Sequence, residues 1–180
     1  MIDYFALLDE ARRPWLDPEQ LKEKYFARNR AAAADADLNE AFRVLSDPKL
    51  RLRHLLMLEG AQLSAGRPVP PSVAELFWNA GALLREVERF LIKSGEASSA
   101  LSRALLSGER AKLEGKLVEL ERQLSAAYET ELGRVRELDT PPSPIPPNEL
   151  EALVQLSDSI SYLTRLREQV TEKRHRMNVA

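Results

Sequence analysis

The amino-acid sequence predicts an all-α protein, and three observations lead to that prediction. First, helix-start signals recur along the chain, as at Asp17-Pro18 and Asp47-Pro48, where a carboxylate N-cap precedes a proline at the first helical position. Second, apolar residues recur at three- and four-residue intervals from Val73 onward. Third, no segment of strand length alternates apolar and polar residues with β-branched enrichment.

Four short helical segments are predicted before Gly60. They cover residues 4–8, residues 17 to about 33, residues 37–45 and residues 48–58. Asp17-Pro18-Glu19-Gln20 places a cap acceptor three residues before a glutamine, and Asp37-Leu38-Asn39-Glu40 repeats this capping-box pattern. We therefore expect residues 1–60 to form a first helical domain.

A second helical region is predicted beyond a linker at residues 61–71. The segment that runs from Gly60 through Pro71, both included, contains two glycines and three prolines, a composition that ends helices. Further start signals at Ser72 and Asn148 precede apolar stripes within residues 73–91, 113–138 and 150–170. Since no single stripe can bury itself, residues 72–180 are expected to form an antiparallel three-helix bundle; a long coiled-coil homodimer is the rival arrangement.

Two further features of this region concern its proline-rich connector and its middle helix. Residues 141–147 are so rich in proline that an extended polyproline connector is expected there. The helix predicted over residues 100–138 contains Gly108, Gly115 and Gly133, and the sequence does not decide whether it breaks at any of them.

Composition and charge exclude several classes of function. The 180 residues include 26 basic and 28 acidic side chains, which are interspersed and give a net charge of -2, so nucleic acid is not the expected partner. The absence of cysteine excludes disulfides, a thiol nucleophile and a thiolate zinc site. No apolar run approaches the length of about 20 residues that crosses a bilayer, and no signal-peptide pattern opens the chain. A cytoplasmic protein without membrane attachment is expected.

Enzymatic chemistry is not predicted either. His54 and His175 lack a second histidine or a carboxylate three or four residues further on that would form a helical metal pair, and His54 is expected to be a surface or boundary side chain. No phosphate-binding glycine loop, nucleophile elbow or paired-carboxylate motif is present. We expect no enzyme activity, cofactor or metal. The basic tail 172–176 is interpreted as a helix C-terminus that favours cations, and weak nucleic-acid binding is the lesser alternative.

Several motifs occur in an order that resembles a known family. They are Asp3-Tyr4-Phe5-Ala6-Leu7-Leu8, the segment from Leu38 to Pro48, the segment from Arg51 to Gly60, and Ile160-Ser161-Tyr162-Leu163-Thr164-Arg165-Leu166. This order is similar to that of the HscB family, whose members are J-domain co-chaperones of iron–sulfur cluster assembly. The resemblance covers most of the chain and implies a J-domain-like region followed by a helical bundle that binds other proteins.

One segment departs from this resemblance. In the family, the helix that starts at a position like Asp17 ends in a loop carrying His-Pro-Asp, which activates the chaperone partner. Here Ala33, Ala34 and Asp35 occupy that place. Proline would hold such a loop out of the helix, whereas alanine favours continuation of the helix, so we interpret this stretch as a remodelled connection in which Asp35 is at most a cap. A degenerate J-domain that does not stimulate the chaperone ATPase is expected.

The resemblance also implies a basic surface for a DnaK-type chaperone on the helix that begins near Asp17. The basic residues there are Lys22, Lys24, Arg28 and Arg30. Glu19 and Glu23 are interleaved with them, which favours a merely solvated face.

In the bundle, the resemblance implies a client-binding surface for an iron–sulfur scaffold protein. The family uses apolar and acidic residues of the first bundle helix and an aromatic residue of the last. The residues that correspond to the apolar and aromatic ones are Leu76, Phe77, Trp78, Leu84 and Tyr162. Phe77 and Leu84 lie on the apolar stripe and are expected to be core, so Trp78, one position off it, is the expected exposed anchor. Ala80, Gly81, Ala82 and Arg85 stand where carboxylates would be expected.

Two functions follow as hypotheses. The first is an HscB-like co-chaperone-type protein that binds proteins in iron–sulfur cluster assembly or in chaperone-linked client delivery. The second is a helical adaptor or oligomerisation module that has lost chaperone function. The sequence leaves homo-oligomer formation open.

Overall fold

The computed structural model describes residues 1–31, 35–62, 68–139 and 144–179 of the protein. These residues form helices and no strand, so the predicted all-α class is confirmed. In chain order the helices are α1 Tyr4–Leu7, α2 Pro18–Ala31, α3 Ala36–Ser46, α4 Pro48–Leu58, α5 Pro71–Gly95, α6 Ala100–Glu137 and α7 Pro147–Val179.

Two helix starts follow the predicted capping chemistry. The Asp17 carboxylate accepts hydrogen bonds from the amides of Glu19 (2.9 Å) and Gln20 (3.0 Å) at the start of α2. Asp47 accepts one from the amide of Leu50 (3.1 Å), with Pro48 opening α4. In both cases a side-chain acceptor satisfies amides that have no partner within the helix.

Three predicted caps are wrong. Asp35, not Asp37, is the N-cap of α3. Helix α5 begins at Pro71 with Pro70 in the cap position and no side-chain cap bond, so Ser72 lies inside the helix. Helix α7 begins at Pro147, one residue before the predicted Asn148 cap. At α5 and α7 a proline opens the helix because its φ is already helical and it has no amide that needs a partner.

Two compact units make up the chain. The first comprises Met1–Pro68 and Glu131–Ile160, and the second comprises Val69–Thr130 and Ser161–Ala180. Residues 131–160 were predicted to belong to the bundle, whereas in the structure they belong with the first unit, so that α6 and α7 each contribute residues to both units. Helix α6 is unbroken through all three of its glycines. Of the predicted linker, residues 63–67 lie outside the described residues, as do residues 140–143 at the proline-rich connector.

The first unit has α3 at its centre, packed against α1, α2 and α4. Its fully buried side chains include Phe5, Leu8, Leu21, Leu45, Leu52, Leu55 and Leu56. Buried Arg51 supports this core, since its guanidinium donates to the carbonyl oxygens of Pro14 (2.9 Å) and Leu45 (2.7 Å). Arg51 therefore joins the segment before α2 to the C-terminal end of α3.

His54 is buried, and the prediction of a surface or boundary side chain is wrong. Only 6% of it is exposed, its Nε2 accepts a hydrogen bond from the Tyr4 amide (3.1 Å), and its ring stacks on Tyr4 with centroids 4.6 Å apart. Burial lowers its pKa below 6.5, assisted by the nearby Arg12 charge and partly opposed by Asp3. His54 is thus a neutral acceptor for a backbone amide of α1.

The second unit is built around an apolar core from α5, α6 and α7. Its buried members include Val73, Ala80, Val87, Phe90, Leu113, Leu117, Leu120, Leu124, Leu163, Leu166 and Val170. Ion pairs close the edges of this core: Arg174 of α7 bonds both Glu114 and Glu121 of α6 at 2.7 Å, and Lys173 pairs with Glu88 of α5. The three-residue and four-residue periodicity of the sequence therefore corresponds to a real buried seam in this unit.

Candidate protein-interaction site

An aromatic cluster of Phe77, Trp78 and Tyr162 lies on the second unit. The Phe77 ring meets Trp78 edge to face with centroids 5.4 Å apart, and it meets Tyr162 edge to face at 6.1 Å. These geometries suit the quadrupoles of aromatic rings and bring α5 and α7 together at the cluster. Trp78 and Tyr162 are 84 positions apart in the sequence, and both contact Phe77.

The members of the cluster differ in exposure. Phe77 and Tyr162 are partly buried against the core of the unit, as are Leu76 and Leu84. Trp78 is 69% exposed, although it is the largest apolar side chain of α5. The structure therefore places one of the five residues singled out in the sequence at the surface and the other four beside or within the packing that supports it.

Arg89 and Ile92, which were not predicted as site residues, share the exposed side of α5 with Trp78. Ile92 is 58% exposed, and both Arg85 and Arg89 are exposed. The seven-residue spacing of Trp78, Arg85 and Ile92 was visible in the sequence as a signal for one helix face. It was missed because a charged residue interrupts the apolar pattern.

The basic residues of α2 divide into two pairs on different sides of the helix. Lys24 forms an ion pair with Glu10 (3.0 Å) and donates to the Asp9 carbonyl oxygen (2.7 Å). Arg28 pairs with the Asp9 carboxylate through Nη2, and its Nε donates to the same oxygen at 3.1 Å. Lys22 and Arg30 are exposed and lie on another face, with Phe26 between them. The structure thus does not bring the four cations together on one surface.

Asp9 takes an unusual backbone conformation to make these contacts. Its φ is +52°, in the left-handed region that an aspartate tolerates better than most residues. The hydrogen bond from Arg28 lowers the pKa of its carboxyl, aided by the charges of Arg28 and Lys24, so Asp9 stays ionised at neutral pH. The segment after α1 therefore neutralises two of the four cations predicted for chaperone contact.

The connection between α2 and α3 is described in part. Ala33 and Ala34 lie outside the described residues. The Asp35 carboxylate accepts hydrogen bonds from the amides of Asp37 (2.9 Å) and Leu38 (3.4 Å). It is therefore engaged within its own helix, as an N-cap is.

The residues that the structure describes contain neither a candidate metal site nor a candidate membrane span. No three histidine or acidic side chains in these residues are grouped so that they could hold a metal ion. None of the described helices carries an apolar stretch sufficient to span a bilayer.

The helix order and lengths define a fold class: short helices around α3, followed by three helices of at least 25 residues. The chaperone HscB from Vibrio cholerae is a solved structure with this fold. It matches 95% of this chain and 96% of its own chain, with a TM-score of 0.57 and 18% sequence identity. The expected HscB-like fold is thereby confirmed. No protein-family model matches the sequence, and no curated protein sequence matches it.

Proposed function

We propose that this protein is a cytoplasmic, HscB-like co-chaperone-type protein that binds other proteins and catalyses no reaction. Its role would lie in iron–sulfur cluster assembly or in chaperone-linked client delivery. The observation that carries the proposal is exposed Trp78, supported by Phe77 and Tyr162, on a chain whose fold matches a chaperone over nearly its whole length.

Trp78 would act as the anchor of the client contact. Tryptophan is enriched among the residues that dominate binding energy, and truncation of such a residue typically costs about 2 kcal/mol or more of binding free energy. Phe77 holds its ring edge to face, and Tyr162 holds Phe77 in turn. An anchor that is already oriented loses little side-chain entropy on binding. The cluster thus supports a contact made mainly by the second unit.

The first unit would not stimulate a chaperone ATPase. Asp35 is the single member of the expected tripeptide present, and its carboxylate is bonded to amides of α3. Lys24 and Arg28 are already paired with acidic partners. A DnaK-type partner would therefore have to compete with intramolecular contacts for three of the groups that it would recognise.

The proposal is tested by two measurements on the full chain. ATP hydrolysis by the DnaK-type chaperones of the same cell is measured with and without the protein, and no stimulation is expected. Capture of the cell's purified iron–sulfur scaffold protein is then compared between the wild type and Trp78→Ala. Val118→Ala is the matched control, because Val118 is an exposed apolar residue, at 46%, on α6 of the same unit.

Three outcomes decide the matter. Capture that is lost in Trp78→Ala and kept in Val118→Ala supports the client-binding role. Robust ATPase stimulation would overturn the proposed degeneracy of the first unit. Failure to capture any scaffold or chaperone client would overturn the co-chaperone role itself.

One observation favours the second function, an adaptor or oligomerisation module. Leu101 and Leu105 are 71% and 74% exposed on one face of α6, and Gly108, with open space around it, continues that face. Two copies of such a helix could approach closely and bury the leucines. Sedimentation velocity over a range of concentrations tests this: a dimer that Leu105→Glu dissociates would favour the module, provided that no client is captured.

A further inference from the structure

Five residues form the outer face of α5: Trp78, Ala82, Arg85, Arg89 and Ile92. Their spacing of four, three, four and three residues places them on one side of a helix. All five are exposed, with Trp78 at 69% and Ile92 at 58%. The face therefore has an apolar residue at each end and two arginines between them, over about 21 Å of helix.

The two arginines differ from the other charged residues in the C-terminal half of α5. Glu86 pairs with Lys116, Glu88 pairs with Lys173, and Lys93 pairs with Glu109. In the described part of the chain no carboxylate lies within ion-pair distance of Arg85 or Arg89. The Nε of Arg89 only donates to the backbone carbonyl of Arg85, at 3.4 Å. The outer face thus carries two positive charges that the protein itself does not neutralise.

We propose that the outer face of α5 binds an acidic amphipathic segment of a partner protein. Carboxylates of the segment would pair with Arg85 and Arg89, while its apolar side chains pack on Trp78 and Ile92. This inference rests on the proposed protein-binding function and specifies the chemistry of the partner. It also reverses the charge that the family resemblance implied near Arg85, since this arginine stands where a carboxylate was expected.

The partner's class follows from the amount and the arrangement of the charge. Nucleic-acid binding draws on many cations at once, whereas this face has two, on a chain of net charge -2. Exposed apolar side chains at both ends require apolar counterparts, which an acidic amphipathic helix supplies at matching intervals. Arginine is moreover the cation best suited to carboxylates, since its planar guanidinium can bond two oxygens at once.

The test uses defined peptides in place of an unidentified partner. The acidic probe is a fluorescein-labelled helical peptide of about 18 residues with leucine at helical spacing and glutamate beside it. Three comparison probes are used. In the first peptide lysine replaces glutamate, in the second alanine replaces leucine, and the third probe is a single-stranded DNA oligonucleotide. Fluorescence anisotropy measures the Kd for the full-length protein at about 0.05 M and about 0.3 M NaCl.

The decisive variant is Arg85→Glu/Arg89→Glu, and its matched control is Arg103→Glu/Lys112→Glu. The control changes the net charge equally at two exposed positions of α6. We expect the acidic probe to bind the wild type and the control alike. For the decisive variant, the Kd should rise about tenfold or more at low salt, with a smaller difference at high salt. Trp78→Ala should also weaken binding of the acidic probe.

Other results would overturn the inference. If the control variant weakens binding as much as the decisive one, the net charge of the chain is responsible and not this face. If the leucine-free peptide or the oligonucleotide binds as tightly as the acidic probe, the face attracts anions in general. The inference also fails if the wild type binds the lysine probe equally well, or binds no peptide.

The same variants separate this inference from the proposed function. If scaffold capture is lost in Trp78→Ala but unchanged in Arg85→Glu/Arg89→Glu, the proposed function is supported and the acidic partner is refuted. Binding of the acidic probe through both arginines, without capture of any scaffold or client, would support the acidic partner and refute the co-chaperone role.

Discussion

Replacement of His54 by phenylalanine should remove a pH dependence from the stability of the first unit. The His54 ring is 6% exposed, stacks on Tyr4 and Phe5, and accepts the Tyr4 amide proton at Nε2. Phenylalanine has nearly the same shape and keeps the stacking, but it offers no acceptor. The substitution therefore isolates the hydrogen bond and the titration from the packing.

The expected change in unfolding free energy has two parts. Near pH 7.5 the variant leaves a partly buried amide without its acceptor, which should cost about 1–3 kcal/mol of unfolding free energy. Burial holds the pKa of folded His54 below its usual 6.5, so the unfolded chain takes up the proton more readily than the folded one. The contribution of neutral His54 to wild-type stability should consequently be fully present above pH 6.5. It should decrease as the pH falls from 6.5 toward the folded-state pKa of His54. The decrease is at most about 1.4 kcal/mol per pH unit.

Urea unfolding followed by tryptophan fluorescence measures the unfolding free energy with and without His54→Phe, in both cases in a Trp78→Phe background. Trp15 is then the reporter, and it belongs to the first unit, with the Arg136 guanidinium 3.8 Å from its ring centroid. Between pH 7.5 and 5.5 the wild type should lose stability while His54→Phe loses much less, so the two curves converge. Parallel curves over this interval would refute the assignment of His54 as a neutral acceptor.

Three further predictions concern the connection, the buried arginine and a surface ion pair. The double substitution Ala33→His/Ala34→Pro should not produce stimulation of chaperone ATP hydrolysis, because Asp35 remains engaged as the α3 cap; stimulation would disprove the remodelled connection. Arg51→Leu should lower the unfolding free energy by about 2–5 kcal/mol, because the buried carbonyl oxygens of Pro14 and Leu45 lose their hydrogen-bond donor. Urea unfolding measures this change, and an unchanged unfolding midpoint would contradict the prediction. Hydrogen bonds from Arg122 and Gln123 lower the pKa of Glu119 to about 2. In Arg122→Ala this pKa should therefore rise toward 4.5, as measured by NMR titration of the carboxyl group. An unchanged Glu119 pKa in the variant would argue against the pair.

Much of the helical architecture was predictable because its causes are local. Asp17-Pro18 and Asp47-Pro48 start helices through a cap acceptor and a proline that are adjacent in sequence. The caps at Asp37, Ser72 and Asn148 were mispredicted for a related reason. Each lies within two residues of the true start, and a neighbouring proline or Asp35 took the role instead.

The candidate site was predictable only in part. One step along a helix turns a side chain by about 100°, so the stripe pattern could separate Trp78 from Phe77. The partners of charged residues could not be predicted in the same way. Lys24 and Arg28 meet Asp9 and Glu10 because the segment after α1 turns back through a positive φ at Asp9, and no spacing rule in the sequence anticipates that contact.

By itself, the sequence determined the helical class, the approximate bounds of the helices, the order of motifs that resembles the HscB family and the absence of His-Pro-Asp. These depend on backbone preferences and on periodicity within single helices. Only the tertiary structure decided that Arg51 and His54 are buried, that two α2 cations are neutralised, and that Arg85 and Arg89 are not. Burial and ion pairing depend on which distant residues fold back onto a side chain, and this information exists only once the chain has packed.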